Sequence, residues 1–180
     1  RAGAIRLGPP VWYRLGGLVY YQTDLRGTKS DLHSGVFGGA MANPAFVLSQ
    51  MLTQMKDRSG RVRFPGFYDG VRELTAAERA EWKKLPFDEK KYRKEWGAPR
   101  LAGESGYTVL ERVWGRPTFE VNGLLSGFTG EGPKTVLPAV AMAKVSMRLV
   151  PNQDPDTIAK LFEEYVGKIA PPTVELKLTR

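Results

Sequence analysis

The sequence predicts an α+β fold: a ferredoxin-like βαββαβ antiparallel sheet with two helices on one face, plus a helical insert. Two amphipathic helical patterns alternate with segments rich in β-branched and aromatic residues, and each helix begins at an Asn-Pro or Asp-Pro pair. With a polar middle stretch set aside, the order is strand, helix, strand, strand, helix, strand, which is the split βαβ arrangement. In that topology the first and last strands lie side by side and antiparallel, so the chain ends fall close together.

The first half of the chain supplies one strand and one helix. After Gly8-Pro9-Pro10, which is typical of a linker, residues 11–22 are β-prone and aromatic, with an extended continuation towards Ser30. Asn43 is suited to cap a helix and Pro44 to occupy its first position. The helix is predicted to end between Asp57 and Gly60, and its buried stripe has helical spacing: Leu48, Met51, Leu52 and Met55.

The second half supplies the remaining strands and helix. Residues 107–114 and 118–125 are β-prone, and Arg116-Pro117 either separates two short strands or breaks one long strand. Residues 141–149 alternate apolar and polar side chains, which predicts a half-buried strand. Asp154-Pro155 then caps a helix with a stripe of Ile158, Leu161, Phe162, Tyr165 and Ile169. The final strand is predicted from alternation at Val174, Leu176 and Leu178.

Residues 61–104 differ from the rest and are interpreted as a surface insert within a single domain that covers residues 1–180. Thr75 and Glu78 have the spacing of a capping box, which opens a short polar helix. Asp88 is suited to cap a second helix that stops at Gly97. Three aromatic side chains are expected to pack the insert against the rest of the domain: Trp82, Tyr92 and Trp96.

Composition restricts the function classes. The 180 residues contain no cysteine, which excludes a disulfide scaffold and a cysteine nucleophile and fits a reducing compartment. A cytoplasmic location is therefore expected, with neither a signal peptide nor a membrane-spanning run. The net charge is +8, but the densest basic cluster, residues 83–94, is interleaved with Asp88 and Glu89. That mixture favours a solvated helical face over a nucleic-acid patch.

Few residues could carry chemistry. Residues 127–135 superficially resemble a phosphate-binding loop, but Pro133 removes a backbone N–H that a phosphate cradle needs. The chain has one histidine, so a histidine-based metal pair is excluded. The remaining candidates are His33, Thr135 and Arg148, and each also has a plain structural interpretation. The residues alone support only a basic α+β domain.

Several ordered motifs together resemble one known family. They are Asp31-Leu32-His33-Ser34-Gly35 followed by Gly38-Gly39 and Asn43-Pro44, residues 64–69, Glu111-Arg112 with Arg116-Pro117-Thr118, residues 130–138, and residues 148–151. The set is similar to the dimerisation (lid) domain of carnosinase-like dipeptidases. These belong to the dinuclear zinc metallopeptidase family that also holds aminoacylase and succinyl-diaminopimelate desuccinylase. The resemblance covers nearly the whole chain, and the entry to the first strand fits it least well.

The resemblance implies a domain excised from a two-domain metallopeptidase. Its two zinc ions and their ligands would lie in the missing catalytic domain, so the fragment alone would be inactive. Family lids pair edge to edge as a homodimer, and each reaches into its partner's active site. By resemblance, His33 stabilises the scissile carbonyl oxygen across the dimer, with Asp31 near enough in sequence to orient the ring. Arg148 grips the carboxylate of a peptide or N-acyl amino acid, and Thr135 supports substrate binding from the partner lid.

Two alternatives stay open at this point. The chain could be a purely structural dimerisation module in which His33 serves folding. A basic ferredoxin-like nucleic-acid binder is supported only by the net charge of +8, and the paired aromatic-basic sheet motif of RNA-binding domains is absent from the sequence.

Overall fold

A computed structural model describes residues 17–180 of the chain and gives an α+β architecture. Its long strands are β1 (Leu18–Arg26), β3 (Thr118–Ser126), β5 (Val140–Arg148) and β6 (Glu175–Thr179), and the two-residue strands are β2 (Leu32–His33) and β4 (Val136–Leu137). The helices are α1 (Ser34–Phe37), α2 (Pro44–Met55), α3 (Ala76–Lys83), α4 (Glu89–Glu95), α5 (Val109–Gly115) and α6 (Pro155–Ile169).

The four long strands form one antiparallel sheet in the order β3-β5-β1-β6. The predicted ferredoxin-like fold is confirmed, because the first and last strands are neighbours and pair antiparallel from Gln22↔Thr179 to Arg26↔Glu175. The predicted first strand overlaps β1 in residues 18–22, and residues 11–16 lie outside the described part of the chain.

The core lies between one face of the sheet and the two long helices. Alternate residues of β1 and β5 are buried, and α2 and α6 pack their stripes on them. Asn43 and Asp154 cap these helices as predicted, each accepting a backbone N–H, with a proline in the first turn. The fully buried ring of Phe162 packs 4.8 Å from that of Tyr21, measured between ring centroids. Both predicted helices therefore cover the same face of the sheet.

One predicted strand is a helix. Residues 109–115 form α5, whereas their Val, Leu and Trp content favoured a strand over 107–114. The helix begins at Thr108, which accepts from the Glu111 backbone N–H, while the Glu111 carboxylate accepts from the Thr108 N–H. This capping box satisfies the first-turn donors and outweighs the β-propensity of the side chains. β3 then starts at Thr118, directly after Arg116-Pro117.

The segment 61–104 contains the two predicted short helices, α3 with its Thr75–Glu78 capping box and α4 capped by Asp88. Trp82 is buried as predicted, but Trp96 is 59% exposed, so its expected packing role is wrong. The ring of Trp96 comes after the last turn of α4, where it faces solvent. The start of the segment joins the main core through Val62, Phe64 and Phe67.

A buried arginine fastens this segment to the sheet. Arg116 is 2% exposed and donates two 2.8 Å bonds to the Glu104 carboxylate and a third to Glu73. Its guanidinium also lies over the rings of Tyr68 and Tyr107. Burial alone would lower the pKa of Arg116, but the hydrogen bonds and charge of Glu104 raise it. Removing either partner of this pair would be strongly destabilising, because the other charge would stay buried without a counterion.

None of the helices in residues 17–180 combines the length and apolar character that crossing a bilayer requires.

Candidate functional site

His33 is the last residue of β2 and the N-cap of α1. Its backbone is extended, and its exposed ring folds back over the first turn of the helix. Helices are usually capped by Ser, Thr, Asp or Asn, so an imidazole in this position is uncommon. The local fold therefore fixes the direction of a side chain that would otherwise move freely at the surface.

Both ring nitrogens of His33 are engaged. Nδ1 accepts a hydrogen bond from the Gly35 backbone N–H at 3.1 Å. Nε2 lies 3.1 Å from the hydroxyl oxygen of Thr135. The structure thus brings together two of the three predicted site residues, which are 102 positions apart in sequence. Both side chains are exposed, so they are accessible to a ligand.

The His33 and Thr135 segments are joined by backbone contacts. β2 pairs antiparallel with β4 through Leu32↔Leu137 and His33↔Val136, and the Ser34 N–H donates to the Thr135 carbonyl at 3.0 Å. Asp31, expected to orient the ring, instead accepts from the Ala139 N–H at 2.8 Å. Its carboxylate therefore joins the two segments, and the ring is oriented by Gly35 and Thr135.

Arg148 lies elsewhere, as the last residue of β5. It is exposed on the sheet face opposite the helices, where its register neighbours are Leu18 on β1 and Thr118 on β3. Within residues 17–180 its guanidinium forms no ion pair. A guanidinium that presents its fork of donors to solvent is suited to bind a carboxylate in a bidentate manner.

The site residues thus fall at opposite ends of β5. We call His33, Gly35 and Thr135 the donor end, because they lie next to the start of β5 at Val140, and Arg148 the arginine end. Thr135 is linked to β5 through β4, and Ala139 just before β5 holds Asp31. The nine residues of β5 span about 26 Å at a rise of ~3.3 Å per residue.

The loop that precedes Thr135 is held by its own side chains. Lys134 lies 5.1 Å above the ring centroid of Phe128, and that ring covers Gly130 so closely that a Cβ there would meet it at 2.5 Å. Phe128 therefore fills the space in front of Gly130. Gly132 has a φ of +77°, a left-handed conformation that favours glycine.

The donor set does not fit a metal. Among residues 17–180, no three His, Asp or Glu side chains converge on a point where they could hold an ion. The donor end contributes an imidazole and a hydroxyl, and the arginine end contributes a cation. This combination can donate hydrogen bonds to oxygen atoms and bind an anion, but it contains no activated nucleophile.

Sequence reasoning missed two contributors to the donor end, the Gly35 N–H and the contact between Asp31 and Ala139. The sequence contains a glycine two residues after the histidine, but the hydrogen bond from its backbone N–H to the ring depends on the helical turn of α1. The Ala139 contact joins residues 108 apart in sequence, and no local pattern predicts it.

Residues 17–174 match the family described as peptidase dimerisation domain. The chain is 32% identical over 161 residues to the Cys-Gly metallodipeptidase dug1 of Schizosaccharomyces pombe, covering 89% of this chain and 34% of that protein. It is 30% identical to the human Beta-Ala-His dipeptidase, covering 89% of this chain and 32% of the relative. The chain therefore spans about a third of the length of the curated relatives it matches.

Solved structures show the same similarity. An M20 family metallo-carboxypeptidase from Sulfolobus solfataricus superposes with a TM-score of 0.80 at 35% identity, over 92% of this chain and 43% of that chain. Human carnosine dipeptidase 1 superposes with a TM-score of 0.82 at 26% identity, over 93% of this chain and 36% of that chain.

Proposed function

The chain belongs to the peptidase dimerisation domain family of M20 metallopeptidases, and from this premise we propose that it is the lid of a zinc-dependent dipeptidase or related amidohydrolase. In this proposal the lid forms a homodimer, and each active site takes its donor end from one subunit and its arginine end from the other. The substrate is a peptide or an N-acyl amino acid with a free carboxylate, and the enzyme is cytoplasmic.

The separation of the two ends supports this proposal most directly. A fully extended dipeptide spans about 7 Å, at 3.3–3.6 Å per residue. The two ends of β5 are about 26 Å apart. Since His33 lies next to the start of β5 and Arg148 at its end, we do not expect one small substrate to contact both in the same chain. A two-fold dimer removes the difficulty, because the donor end of one copy can approach the arginine end of the other.

His33 is proposed to donate its Nε2 hydrogen to the scissile carbonyl oxygen. Amide hydrolysis builds negative charge on that oxygen, and a fixed donor stabilises this charge in the transition state. Thr135 is proposed to contact the same carbonyl oxygen, because its hydroxyl lies 3.1 Å from Nε2. The bonds that hold the ring before substrate arrives reduce the reorganisation needed during the reaction.

Arg148 is proposed to bind the substrate carboxylate. Its exposed guanidinium has no competing anion within residues 17–180, so no existing ion pair has to be broken. A bidentate pair would fix the C-terminal end of the substrate and thereby the position of the scissile bond.

The two zinc ions belong, in this proposal, to the catalytic domain that the lid covers. The zinc would polarise the carbonyl and activate the attacking water. Residues 17–180 offer no cluster that could hold these ions, so the lid's own part is to bind, orient and donate hydrogen bonds. The 180-residue chain alone is accordingly proposed to be inactive.

The two edges of the sheet support a specific mode of dimerisation. β6 is a five-residue edge strand that exposes Glu175 and Lys177, and charges of this kind discourage strand addition. β3 is a nine-residue edge strand that exposes Val121, Leu124 and Leu125, at 43%, 58% and 56%. A long apolar edge without charges in residues 121–126 favours pairing with another strand. We assign the homodimer contact to β3.

Complementation between two impaired variants, assayed at a substrate concentration well below KM, tests the shared site. In the full-length enzyme, His33→Ala and Arg148→Ala should each be impaired, while a heterodimer of the two should contain one intact site. That site combines the histidine of one subunit with the arginine of the other, and the second site carries both substitutions. A random 1:1 mixture contains half heterodimers, so about a quarter of the wild-type activity should return on subunit exchange.

Two controls accompany this experiment. A double variant carrying both substitutions, mixed with wild type, produces heterodimers in which each site lacks one group, so no site beyond the wild-type homodimers should work. Metal content should stay normal in all variants. If confirmed heterodimers are no more active than the single variants, the shared site is disproved, and a purely structural dimerisation role gains support.

A further inference from the structure

We propose that Gly35 is a positioning residue that makes His33 a donor at Nε2, a role that rests on the proposed function of His33. A backbone N–H can only donate, so the 3.1 Å contact from Gly35 requires Nδ1 to be the accepting nitrogen. In a neutral imidazole the hydrogen then resides on Nε2. The tautomer of His33 is thereby set by the backbone two residues later.

The same assignment gives the hydrogen bonds a direction. Nε2–H donates to the Thr135 hydroxyl oxygen, which lies 3.1 Å away. That hydroxyl, having accepted, keeps its own hydrogen for another acceptor. An incoming oxygen can therefore accept the Nε2 hydrogen in place of the Thr135 oxygen, or accept the hydrogen of the Thr135 hydroxyl. This is the polarity that a developing oxyanion requires.

Gly35 also provides space that no other residue could provide. A Cβ at this position would lie 2.8 Å from Cε1 and 3.1 Å from Nδ1 of His33. Real Cβ atoms do not tolerate 2.8 Å, so the ring would have to turn away. Because the ring is an exposed side chain, Gly35→Ala should fold normally while the Nδ1 contact is lost and Nε2 leaves Thr135.

The lone histidine of the chain makes this inference measurable. In the ¹⁵N-labelled 180-residue chain at a pH where the ring is neutral, the ring nitrogens give a single set of signals. We expect the hydrogen on Nε2 and a scalar coupling across the hydrogen bond between the Gly35 amide nitrogen and Nδ1. Gly35→Ala should abolish the coupling. Gly167→Ala is the matched control, since a Cβ there meets nothing within 4 Å, and it should keep the coupling.

The absence of the coupling in the wild-type chain, or its persistence in Gly35→Ala, would overturn the inference. Folding of each variant is read from the remainder of the same spectrum. The measurement needs no substrate or metal, so its result is independent of catalysis.

Kinetics of the full-length enzyme separates the inference from the proposed function. Gly35→Ala should lower kcat about 10- to 100-fold with little change in KM, the loss expected when a reacting group is displaced by about 1 Å. In a His33→Ala background it should cause no further loss, because Gly35 acts only through the ring. Full activity of Gly35→Ala beside an impaired His33→Ala would refute the positioning role alone. Full activity of His33→Ala would refute the proposed function itself.

Discussion

The two ends of β5 each carry a side chain proposed to donate hydrogen bonds to oxygen. The side chain is held by contacts at one end and, at the other, is exposed without an ion pair in the described part of the chain. At the donor end, the ring nitrogens of His33 already contact Gly35 and Thr135, and Asp31 holds the backbone of Ala139. At the arginine end, Arg148 extends from the last residue of its strand and has no ion pair within residues 17–180. One end is held by these contacts before any ligand arrives, and the other is proposed to become ordered when the substrate carboxylate binds.

This difference separates two kinds of binding energy. A donor fixed in advance stabilises charge that exists only in the transition state, so it should act on kcat. A guanidinium that binds the substrate carboxylate, as proposed for Arg148, meets the same charge throughout the reaction, so it should act mainly on KM. Substitutions at the two ends should therefore have different kinetic signatures, although both remove a donor.

The largest effect is expected from His33→Ala in the full-length enzyme. Loss of one oxyanion donor should reduce kcat about 100- to 1,000-fold, while KM changes little. Steady-state kinetics gives both constants, and the metal content should equal that of the wild type because the chain's described residues form no metal cluster. A rise in KM at constant kcat would mean that His33 binds the substrate in the ground state. The two ends of β5 would then no longer differ in their kinetic effects.

A smaller effect, concentrated in KM, is expected from Arg148→Ala. A hydrogen-bonded contact to a charged group contributes about 1.5–3 kcal/mol, which corresponds to a roughly 10- to 100-fold higher KM. Arg148→Lys keeps the charge but loses the bidentate fork, so its KM should lie between those of Arg148→Ala and the wild type.

A substrate analogue without the carboxylate provides the control for Arg148. The wild type should hydrolyse it poorly, and Arg148→Ala should cause little additional loss. If the substitution is equally harmful with this analogue, Arg148 has another role, such as supporting the end of β5.

The sheet and its two long helices could be predicted because their signals are local. Asn43 and Asp154 mark helix starts, and strict alternation marks β5. The error over residues 107–114 is also instructive. Thr108 and Glu111 have the spacing of a capping box, but the β-prone side chains of this segment are typical of a strand. In a short segment, satisfying the backbone donors of the first turn decides the conformation.

The sequence indicated candidate residues for the site but not their geometry. The resemblance supplied His33, Thr135 and Arg148, and nothing local indicated that the first two meet while the third lies at the far end of a strand. The Arg116 cluster was missed for the same reason, since it joins Glu73, Glu104 and Arg116 from separate segments. Contacts of this kind follow from chain topology, which is known only once the fold is complete.

The smallest effect, and the sharpest test of rigidity at the donor end, is expected from Asp31→Ala. Its carboxylate accepts from the Ala139 N–H at 2.8 Å and joins the His33 segment to the residue before β5. A hydrogen bond of this type contributes about 0.5–1.5 kcal/mol, so the Ala139 amide should exchange with solvent about 3- to 10-fold faster in the variant.

Asp31→Asn retains a side-chain oxygen as acceptor and should restore most of the protection of Ala139. The Leu149 amide, bonded to the Gly17 carbonyl beyond the arginine end, is an internal reference that should not change. Because β2 and β4 also hold the donor end, kcat should fall by no more than the same factor. Faster exchange at both amides would mean that the two ends loosen together, and the donor end would then owe its rigidity to the whole sheet instead of to its own contacts.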